Sequence, residues 1–287
     1  MKRRWRTGVP VLLNTMAKTN KELAFLHELF VATDWGERFA ELIDEHLELP
    51  KEGRALYLGS GTGGHAIALQ ERAGDDLKFL GIDENEEYLE LSRAKAVVVR
   101  DGIEFRAASI DRAELPANQF DLVLGDASLV HIKRVGKMLG DMVRTAAPGA
   151  MVALALPTFS SFGEFFSIYW EALHNCELLD HEADVERLIS TLPSTAALEE
   201  MAEQAGLEEV SSWTRIEEFD FESEEKFLNG PLIVDFLMPI WLESLSPEAK
   251  SRVITEIGRL INEERHEAEF ALTLKATLVV GKKALNH

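Results

Sequence analysis

The stretch that decides the fold of this chain is Leu56-Tyr57-Leu58-Gly59-Ser60-Gly61-Thr62-Gly63. Its apolar start predicts a short strand over 55–58, and three glycines then follow at alternate positions. Glycine has no Cβ and tolerates positive φ angles, so its backbone can approach a ligand closely. A helix that begins near residue 64 would direct its free N–H groups into the same space. A strand, a glycine-rich turn and a helix in this order indicate a ligand site at the turn.

Strands and helices alternate along the chain after this turn. Apolar runs predict strands over 77–83, 103–108, 120–124 and 151–156, with helices between them that include 85–100 and 135–145. A sixth strand is predicted over 210–219 and a last strand over 270–280. This rhythm indicates a doubly wound α/β fold, in which helices cover both faces of a mostly parallel sheet.

Helical segments accompany this pattern. Residues 20–48 keep helical spacing of apolar side chains and predict two helices. Ser161 and Glu164 have the spacing of a capping box, which predicts a helix start. The segment 222–268 holds an apolar stretch and a long helix with Pro247 at its first position. We therefore expect three parts: an N-terminal helical cap over 1–50, a ligand-binding domain over 51–221 plus 269–287, and a helical lid insert over 222–268.

An acid ends the second predicted strand. Asp83 follows Gly63 by 20 residues, and a carboxylate at about this spacing accepts both hydroxyls of a ribose in nucleoside-binding α/β folds. Either Asp83 or its neighbour Glu84 would serve. The turn also satisfies the G-x-G-x-x-G fingerprint through Gly64, so it does not by itself distinguish a dinucleotide from another nucleoside cofactor.

Three further passages, together with the turn, carry a resemblance to a known family. Residues 113–123 resemble its "LP…FD-V" passage into strand four, residues 128–132 its "LHHI" segment, and residues 144–150 its "R-x-L-x-P-G-G" passage before strand five. From about residue 54 to 157, the chain resembles the class I S-adenosylmethionine-dependent methyltransferases, particularly the broad small-molecule group called type 11. The resemblance implies a seven-stranded, Rossmann-like sheet whose last strand is antiparallel.

The same resemblance implies that S-adenosylmethionine is the cofactor and assigns residues to each part of it. The methionine part would lie against the turn, the ribose against the acid after strand two, the adenine beside the loop after strand three, and the sulfonium beside the end of strand four. In that order the residues are Gly59, Ser60, Gly61 and Gly63; Asp83, with Glu84 as the alternative; Ser109 and Ile110; and Gly125 and Asp126.

Two positions depart from the family pattern. The family often has an acid where Tyr57 stands, supporting the glycine turn, and often has Asp where Ser109 stands. A serine hydroxyl accepts a hydrogen bond more weakly than a carboxylate does. These departures keep a second function open, a non-catalytic methyltransferase-like module that binds the cofactor or a partner.

The methyl acceptor would bind beyond the carboxyl ends of the strands, where ligands of doubly wound sheets lie. In the family pattern, strand six ends and strand seven begins on this face, so the insert between them would form a lid together with the N-terminal helices. Aromatic side chains on this face favour an apolar or aromatic small molecule. The predicted acceptor-binding residues are Phe162, Phe166, Tyr169, Trp170 and Trp241.

Catalysis by this family requires few protein groups. The sulfonium is an activated methyl donor, so alignment of the acceptor supplies much of the acceleration. A hydroxyl or amine acceptor would also need a base. His131 is the first candidate, because a neutral imidazole accepts a proton near pH 7, and Asp126 is the second. We expect O-methylation ahead of N- or C-methylation, and no metal, since no set of His, Asp and Glu has convincing ligand spacing.

Composition and charge limit the classes of molecule that the chain is expected to bind. The 287 residues carry a formal charge of −20, which disfavours nucleic acid as substrate. The basic segment 1–20 is expected to be a solvated tail or part of a first helix rather than a signal peptide. The single cysteine, Cys176, favours a reducing cytoplasm. No stretch has the ~20 apolar residues of a membrane span. We expect a monomer or homodimer acting on a small molecule.

Overall fold

The computed structural model describes residues 18–98, 103–264 and 270–285. Residues 1–17 of the predicted cap, the last two residues of the helix predicted over 85–100, and residues 265–268 of the predicted insert lie outside this part of the chain. Within it, one sheet contains seven strands: β1 (Gly53–Leu58), β2 (Leu77–Asp83), β3 (Ile103–Ala107), β4 (Phe120–Asp126), β5 (Ala146–Pro157), β6 (Leu207–Phe221) and β7 (Phe270–Lys283).

The strands lie in the order β3-β2-β1-β4-β5-β7-β6. Neighbouring strands are parallel, except that β7 runs antiparallel to both β5 and β6. The predicted doubly wound sheet with an antiparallel last strand is confirmed. The chain order reverses between β1 and β4, so their carboxyl ends lie side by side at the place where such sheets bind ligands. The glycine-rich turn leaves β1 at this place.

Helices cover both faces of the sheet because its strands are buried on both sides. One core contains Tyr57 of β1 and Leu124 of β4, and the other contains Leu58 and Val123. The helices of the described residues are α1 (Asn20–Leu26), α2 (Glu37–His46), α3 (Gly64–Ala73), α4 (Glu86–Ala96), α5 (Ile132–Thr145), α6 (Gly163–Asn175), α7 (Glu182–Thr191), α8 (Thr195–Gln204), α9 (Glu224–Asn229), α10 (Met238–Trp241) and α11 (Pro247–Glu264).

The N-terminal helices continue one another. Between α1 and α2 the chain forms a π-helical stretch, His27–Gly36, instead of the break that separates two helices. The stretch buries Val31 and Trp35 in the core below the sheet's carboxyl edge. A π-helical stretch inside a helix often accompanies a functional site. The two predicted helices over 20–48 are therefore present, but the prediction that they are separate is wrong.

The predicted capping box before α6 is also wrong. The carboxylate of Glu164 accepts hydrogen bonds from the main-chain N–H and the hydroxyl of Thr273 on β7. The Ser161 hydroxyl donates to the main-chain oxygen of Thr158 at 2.7 Å, and Phe162 adopts a left-handed φ of 65°. Contacts with the neighbouring strands therefore replace the local cap.

The segment between β6 and β7 contains α9, a second π-helical stretch (Leu232–Leu237), α10 and α11. It contacts the N-terminal segment through an ion pair between Lys18 and Asp235 and through the rings of His27 and Phe236, whose centroids are 5.7 Å apart. Its assignment as a lid remains a prediction. Among the described residues, no helix combines the length and apolar character that crossing a membrane requires.

Candidate functional site

The glycine-rich turn has a backbone that only glycine adopts without strain. Gly59, Gly61 and Gly63 have φ values of 71°, 54° and 79°. A Cβ on Gly63 would lie 2.7 Å from Cζ of Phe105, and one on Gly59 would collide with the main-chain oxygen of Asp126. Gly63 also ends the turn as the residue before α3. The three glycines are therefore required by both conformation and space.

Asp83 lies directly beside the turn. Its Oδ2 accepts a hydrogen bond from the N–H of Gly61 at 2.9 Å, and its Oδ1 accepts one from Asn85 at 2.9 Å. Burial raises the pKa of Asp83 above its ordinary value, although both hydrogen bonds oppose this rise. The structure thus brings together the two features that the sequence separates by 20 residues.

Two buried polar atoms beside the turn have no hydrogen-bond partner among the described residues. They are the hydroxyl oxygen of Ser60 and Nδ1 of His27. The His27 ring packs on the turn, with Cε1 placed 3.2 Å from where a Cβ of Gly61 would lie, and its centroid is 4.5 Å from that of Tyr88. Burial lowers the pKa of His27 to about 4, so the ring is neutral at pH 7. Buried polar atoms without partners are costly in proteins, so this pair suits a polar ligand.

Glu84 follows β2, and Ser109 lies in the loop after β3. Both side chains belong to one network of hydrogen bonds and ion pairs. The Ser109 hydroxyl lies 3.0 Å from Oε1 of Glu84 and 2.7 Å from Oδ1 of Asp111. Arg134 of α5 reaches both carboxylates, with Nη1 at 2.8 Å from Glu84 and Nε at 3.0 Å from Asp111. Hydrogen bonds from this guanidinium are the largest cause that lowers the pKa of both carboxyls. The N–H of Ile110 also donates to Glu84, at 3.3 Å.

Gly125 and Asp126 are the last two residues of β4, and they contact different parts of the molecule. A Cβ on Gly125 would lie 2.8 Å from Sδ of Met142 on α5, so this glycine is needed for packing behind the sheet. The Asp126 main chain lies against Gly59, and its Oδ1 accepts a hydrogen bond from the N–H of Ser128 at 2.8 Å. Burial raises the pKa of Asp126. Of this pair, Asp126 is the residue that the structure places beside the turn.

A cleft that encloses about 940 Å³, including space open to solvent, lies beyond the carboxyl ends of β4 and β5. Three of the predicted acceptor-binding residues, Phe162, Phe166 and Trp241, line it. Its other apolar lining residues include Leu156, Leu188, Leu192, Leu237 and Ile240, and its polar ones Ser128, His131, Lys133, Asp184, Arg187 and Glu243.

The other two predicted acceptor residues lie elsewhere. Tyr169 is fully buried in the core, with its ring centroid 5.8 Å from that of Phe165. Trp170 packs partly buried against the same core. Neither is among the residues that line the cleft. Tyr169 lies on the same face of α6 as Phe162 and Phe166 but one turn further along, where its ring stacks on Phe165 instead.

His131 lines the cleft at the start of α5. Its Nδ1 accepts a hydrogen bond from the N–H of Lys133 at 3.2 Å, and its Nε2 lies 3.7 Å from Oε1 of Glu243 in the insert. A neutral imidazole that accepts at Nδ1 carries its proton on Nε2. In this arrangement Nε2, the nitrogen nearer Glu243, is a donor. His131 would therefore act as a base only after Nδ1 loses its hydrogen bond from Lys133.

Sequence reasoning missed three side chains at the site: His27, Arg134 and Asp111. Each comes from an element whose packing position the sequence pattern does not specify. The positions of the glycines and of Asp83 could be predicted, because both follow directly from the carboxyl ends of two adjacent strands.

Comparisons with known proteins match the part of the chain that contains the turn. Residues 55–149 match a family model described as a methyltransferase domain. The methyltransferase GfsG of Streptomyces halstedii is 24% identical over 120 residues, which are 42% of this chain and 43% of that protein. The norajmaline N-methyltransferase of Rauvolfia serpentina is 27% identical over 117 residues, or 41% of this chain and 39% of that one. These matches span less than half of each relative.

Solved structures share the fold. The YcgJ protein of Bacillus subtilis aligns with a TM-score of 0.56 at 15% identity and covers 86% of this chain and 99% of its own. The phosphoethanolamine N-methyltransferase 2 of Haemonchus contortus, in complex with S-adenosyl-L-methionine, aligns with a TM-score of 0.53 at 17% identity and covers 96% of this chain and 61% of its own.

Proposed function

We propose that this chain, whose residues 55–149 match a methyltransferase-domain model, is a class I S-adenosylmethionine-dependent methyltransferase that transfers a methyl group to a small apolar or aromatic acceptor. One observation carries the proposal. The Asp83 carboxylate accepts a hydrogen bond from the N–H of Gly61, and the Asp126 main chain that lies against Gly59 leads into Ala127 and Ser128, which line the aromatic cleft. A nucleoside site and an apolar pocket at the same edge of the sheet are what such a transfer requires.

The residues around the turn fit the cofactor. The positive φ angles of the glycines shape the turn, Asp83 retains carboxylate lone pairs for ribose hydroxyls, and the partnerless hydroxyl of Ser60 suits a polar group. When bound, S-adenosylmethionine supplies a methyl group on a sulfonium. Gly59, Gly61 and Gly63 would hold its methionine part, and Ser109 and Ile110 would flank its adenine.

We favour Asp126 over His131 as the candidate base. Its main chain lies against Gly59, and burial raises the pKa of its carboxyl group, which makes it a stronger proton acceptor than an ordinary aspartate. His131 lies in the cleft wall and holds its proton on the nitrogen nearer Glu243. We propose that Asp126 accepts the proton of a hydroxyl acceptor. A nitrogen acceptor is the second candidate, since one relative is named as an N-methyltransferase.

A non-catalytic module that binds the cofactor or a partner is the second candidate function. Tyr57 stands at a position where the family often has an acid, and the hydroxyl of Ser109 is already engaged by Glu84 and Asp111. The same hydroxyl oxygen accepts a hydrogen bond from Nη2 of Arg134 at 3.5 Å, so one of its two lone pairs is taken before an adenine amino group could donate to it.

Calorimetric titration with S-adenosylhomocysteine, with NAD as the control ligand, tests the cofactor site. Transfer of radiolabelled methyl from S-adenosylmethionine to fractions of a small-molecule extract then tests turnover. The proposed enzyme binds S-adenosylhomocysteine and labels at least one fraction. Binding without any labelled fraction would favour the non-catalytic module, and binding of NAD alone would contradict both.

A further inference from the structure

The apolar cleft contains an ion pair on the side formed by α7. The carboxylate of Asp184 and the guanidinium of Arg187 form this pair, and both residues line the cleft. Ser244, in the insert after α10, also lines the cleft and donates a hydrogen bond to Asp184. Leu188 of the same helix and Leu192 just after it supply apolar lining. A ligand that fills this apolar space would therefore meet one pair of opposite charges.

Asp184 is a carboxylate with a fixed orientation. Its Oδ2 lies 2.9 Å from Nδ1 of His181, and its Oδ1 accepts a hydrogen bond from Arg187. Burial is the largest influence on the pKa of Asp184 and raises it, but hydrogen bonds from His181, Ser244 and Arg187 together hold this pKa below its ordinary value. The side chain is still 17% exposed. A carboxylate offers about four lone-pair sites, so these donors leave one for a ligand.

Arg187 also keeps hydrogen-bonding capacity for a ligand. A guanidinium carries several N–H donors, and the bond to Asp184 uses only Nη2. The side chain is 57% exposed. Because the two charges of the pair compensate each other, a charged ligand group would be attracted by one partner and repelled by the other. A hydroxyl group, in contrast, can donate to Asp184 and accept from Arg187 at the same time.

This ion pair belongs to a different part of the cleft from the residues that adjoin the glycine turn. Ala127 and Ser128 line the cleft directly after Asp126, whose main chain lies against Gly59. Asp184 instead lies near Tyr169 in the middle of α6, where burial first and then the charge of Asp184 raise the pKa of the phenol. An acceptor whose reacting atom lies at Ser128 would therefore present another of its groups to Asp184.

We propose that the acceptor is an apolar alcohol whose body fills the cleft and whose hydroxyl group, separate from the methylated atom, donates to Asp184 and accepts from Arg187. The inference rests on the proposed function, since it takes the cleft as the acceptor site. It makes Asp184 and Arg187 the residues that determine specificity. Neither an ammonium nor a carboxylate in the place of the hydroxyl satisfies both partners.

The test uses four probes that share one apolar body, a phenylbutyl group, and differ only at the end of the chain. The chain ends in a hydroxyl, a methyl ether, an ammonium or a carboxylate. Calorimetric titration without cofactor gives each Kd, so the cleft is tested separately from the glycine turn. The alcohol should bind about 10-fold more tightly than the ether, the gain expected for one hydrogen bond to a charged group. It should exceed both charged probes by about threefold or more, because each of them meets a like charge.

Two variants that remove one charge each should reverse this order in opposite directions. Asp184→Asn leaves Arg187 without its counter-charge, so the carboxylate probe should become the tightest of the four. Arg187→Gln leaves Asp184 without its own, so the ammonium probe should become the tightest. Arg187 is mostly exposed, so its replacement does not put folding at risk. Glu186→Gln, at an exposed position of α7 that does not line the cleft, is the control and should change each Kd by less than about twofold.

The outcomes separate this proposal from the proposed function. Preference for the alcohol in the wild type, with the two opposite reversals, supports the proposal. A wild-type preference for a charged probe, equal binding of all four, no binding of any, or reversal in neither variant overturns it, while S-adenosylhomocysteine binding still supports the cofactor site. If the alcohol is preferred but S-adenosylhomocysteine does not bind, the proposed function fails and the hydroxyl preference remains as a property of the cleft.

Discussion

The carboxylate of Asp83 accepts a hydrogen bond from the main-chain N–H of Gly61 at 2.9 Å. This bond joins the end of β2 to the turn after β1, and it places the acid against the backbone of positive φ angles at Gly59, Gly61 and Gly63. Because the second oxygen of Asp83 is held by Asn85, the plane of the carboxylate is fixed before any ligand arrives. Such preorganisation lowers the ordering that binding requires.

Asp83→Ala should therefore weaken S-adenosylhomocysteine by about 10- to 100-fold, the loss expected when hydrogen bonds to a charged group are removed. Calorimetric titration measures the effect. Glu90→Gln, which removes an exposed carboxylate from α4, is the matched control and should leave the Kd unchanged. Equal affinity of Asp83→Ala and wild type would show that the acid does not contact the ligand.

Gly63→Ala should destabilise the fold as well as the site. Its φ of 79° strains any residue with a Cβ, and the added atom would meet Phe105 at 2.7 Å. We expect a loss of about 1–3 kcal/mol in the free energy of unfolding, measured by urea denaturation. Gly140→Ala is the opposite case, because this glycine lies inside α5 with open space around its Cα. It should stabilise by about 0.5–1 kcal/mol. If both variants lost stability equally, strain at the turn would not be the cause.

The glycine turn and Asp83 were predictable because they depend on local patterns and on the topology that those patterns imply. A glycine-rich turn must leave β1 at its carboxyl end, and in a parallel sheet the end of β2 lies at the same edge. The alternation of apolar strands and helices likewise indicates a mostly parallel sheet. These features could be predicted because they depend on neighbours along the chain and on that alternation.

Contacts between distant segments were not predictable. Arg134 reaches Glu84 across 50 positions of the chain, and His65 reaches Asp44 across 21. The spacing of apolar residues along the chain does not determine which faces of two helices pack together. The capping box at Glu164 failed for the same reason, since Thr273 on β7 competes for its carboxylate. Local propensity is overridden where tertiary packing offers a buried partner.

Arg134→Gln should raise the pKa of Asp111 and of Glu84 toward their ordinary values. Hydrogen bonds from the guanidinium are the main cause that holds both below those values, and glutamine supplies no charge. Carboxyl carbon chemical shifts followed by NMR against pH measure the change. Arg134→Lys should have an intermediate effect, because an ammonium keeps the charge without the planar fork. Lys137→Gln, one turn further along α5, should move neither pKa; a shift there would indicate a general loss of positive charge.

His27 should make the stability of the protein depend on pH in a narrow range. Its pKa in the folded protein is about 4 because it is buried, whereas an unfolded histidine titrates near 6.5. Above pH 6.5 the ring is neutral in both states, and the contribution to stability is complete. As the pH falls from about 6.5 to 4, the unfolded chain binds a proton that the folded protein excludes, so stability declines.

Urea denaturation of wild type and His27→Phe at pH 7.5, 5.5 and 4.5 isolates this contribution, since all other groups titrate in both proteins. The phenylalanine ring can still pack against Tyr88 and Phe236 but cannot bind a proton. The wild type should lose up to about 3 kcal/mol more than the variant between the first and last pH. S-adenosylhomocysteine added at pH 5.5 should restore part of this loss if it binds the form in which His27 is neutral. Parallel pH profiles for the two proteins would mean that His27 remains accessible to protons in the folded state, and that the N-terminal helices do not close over the turn.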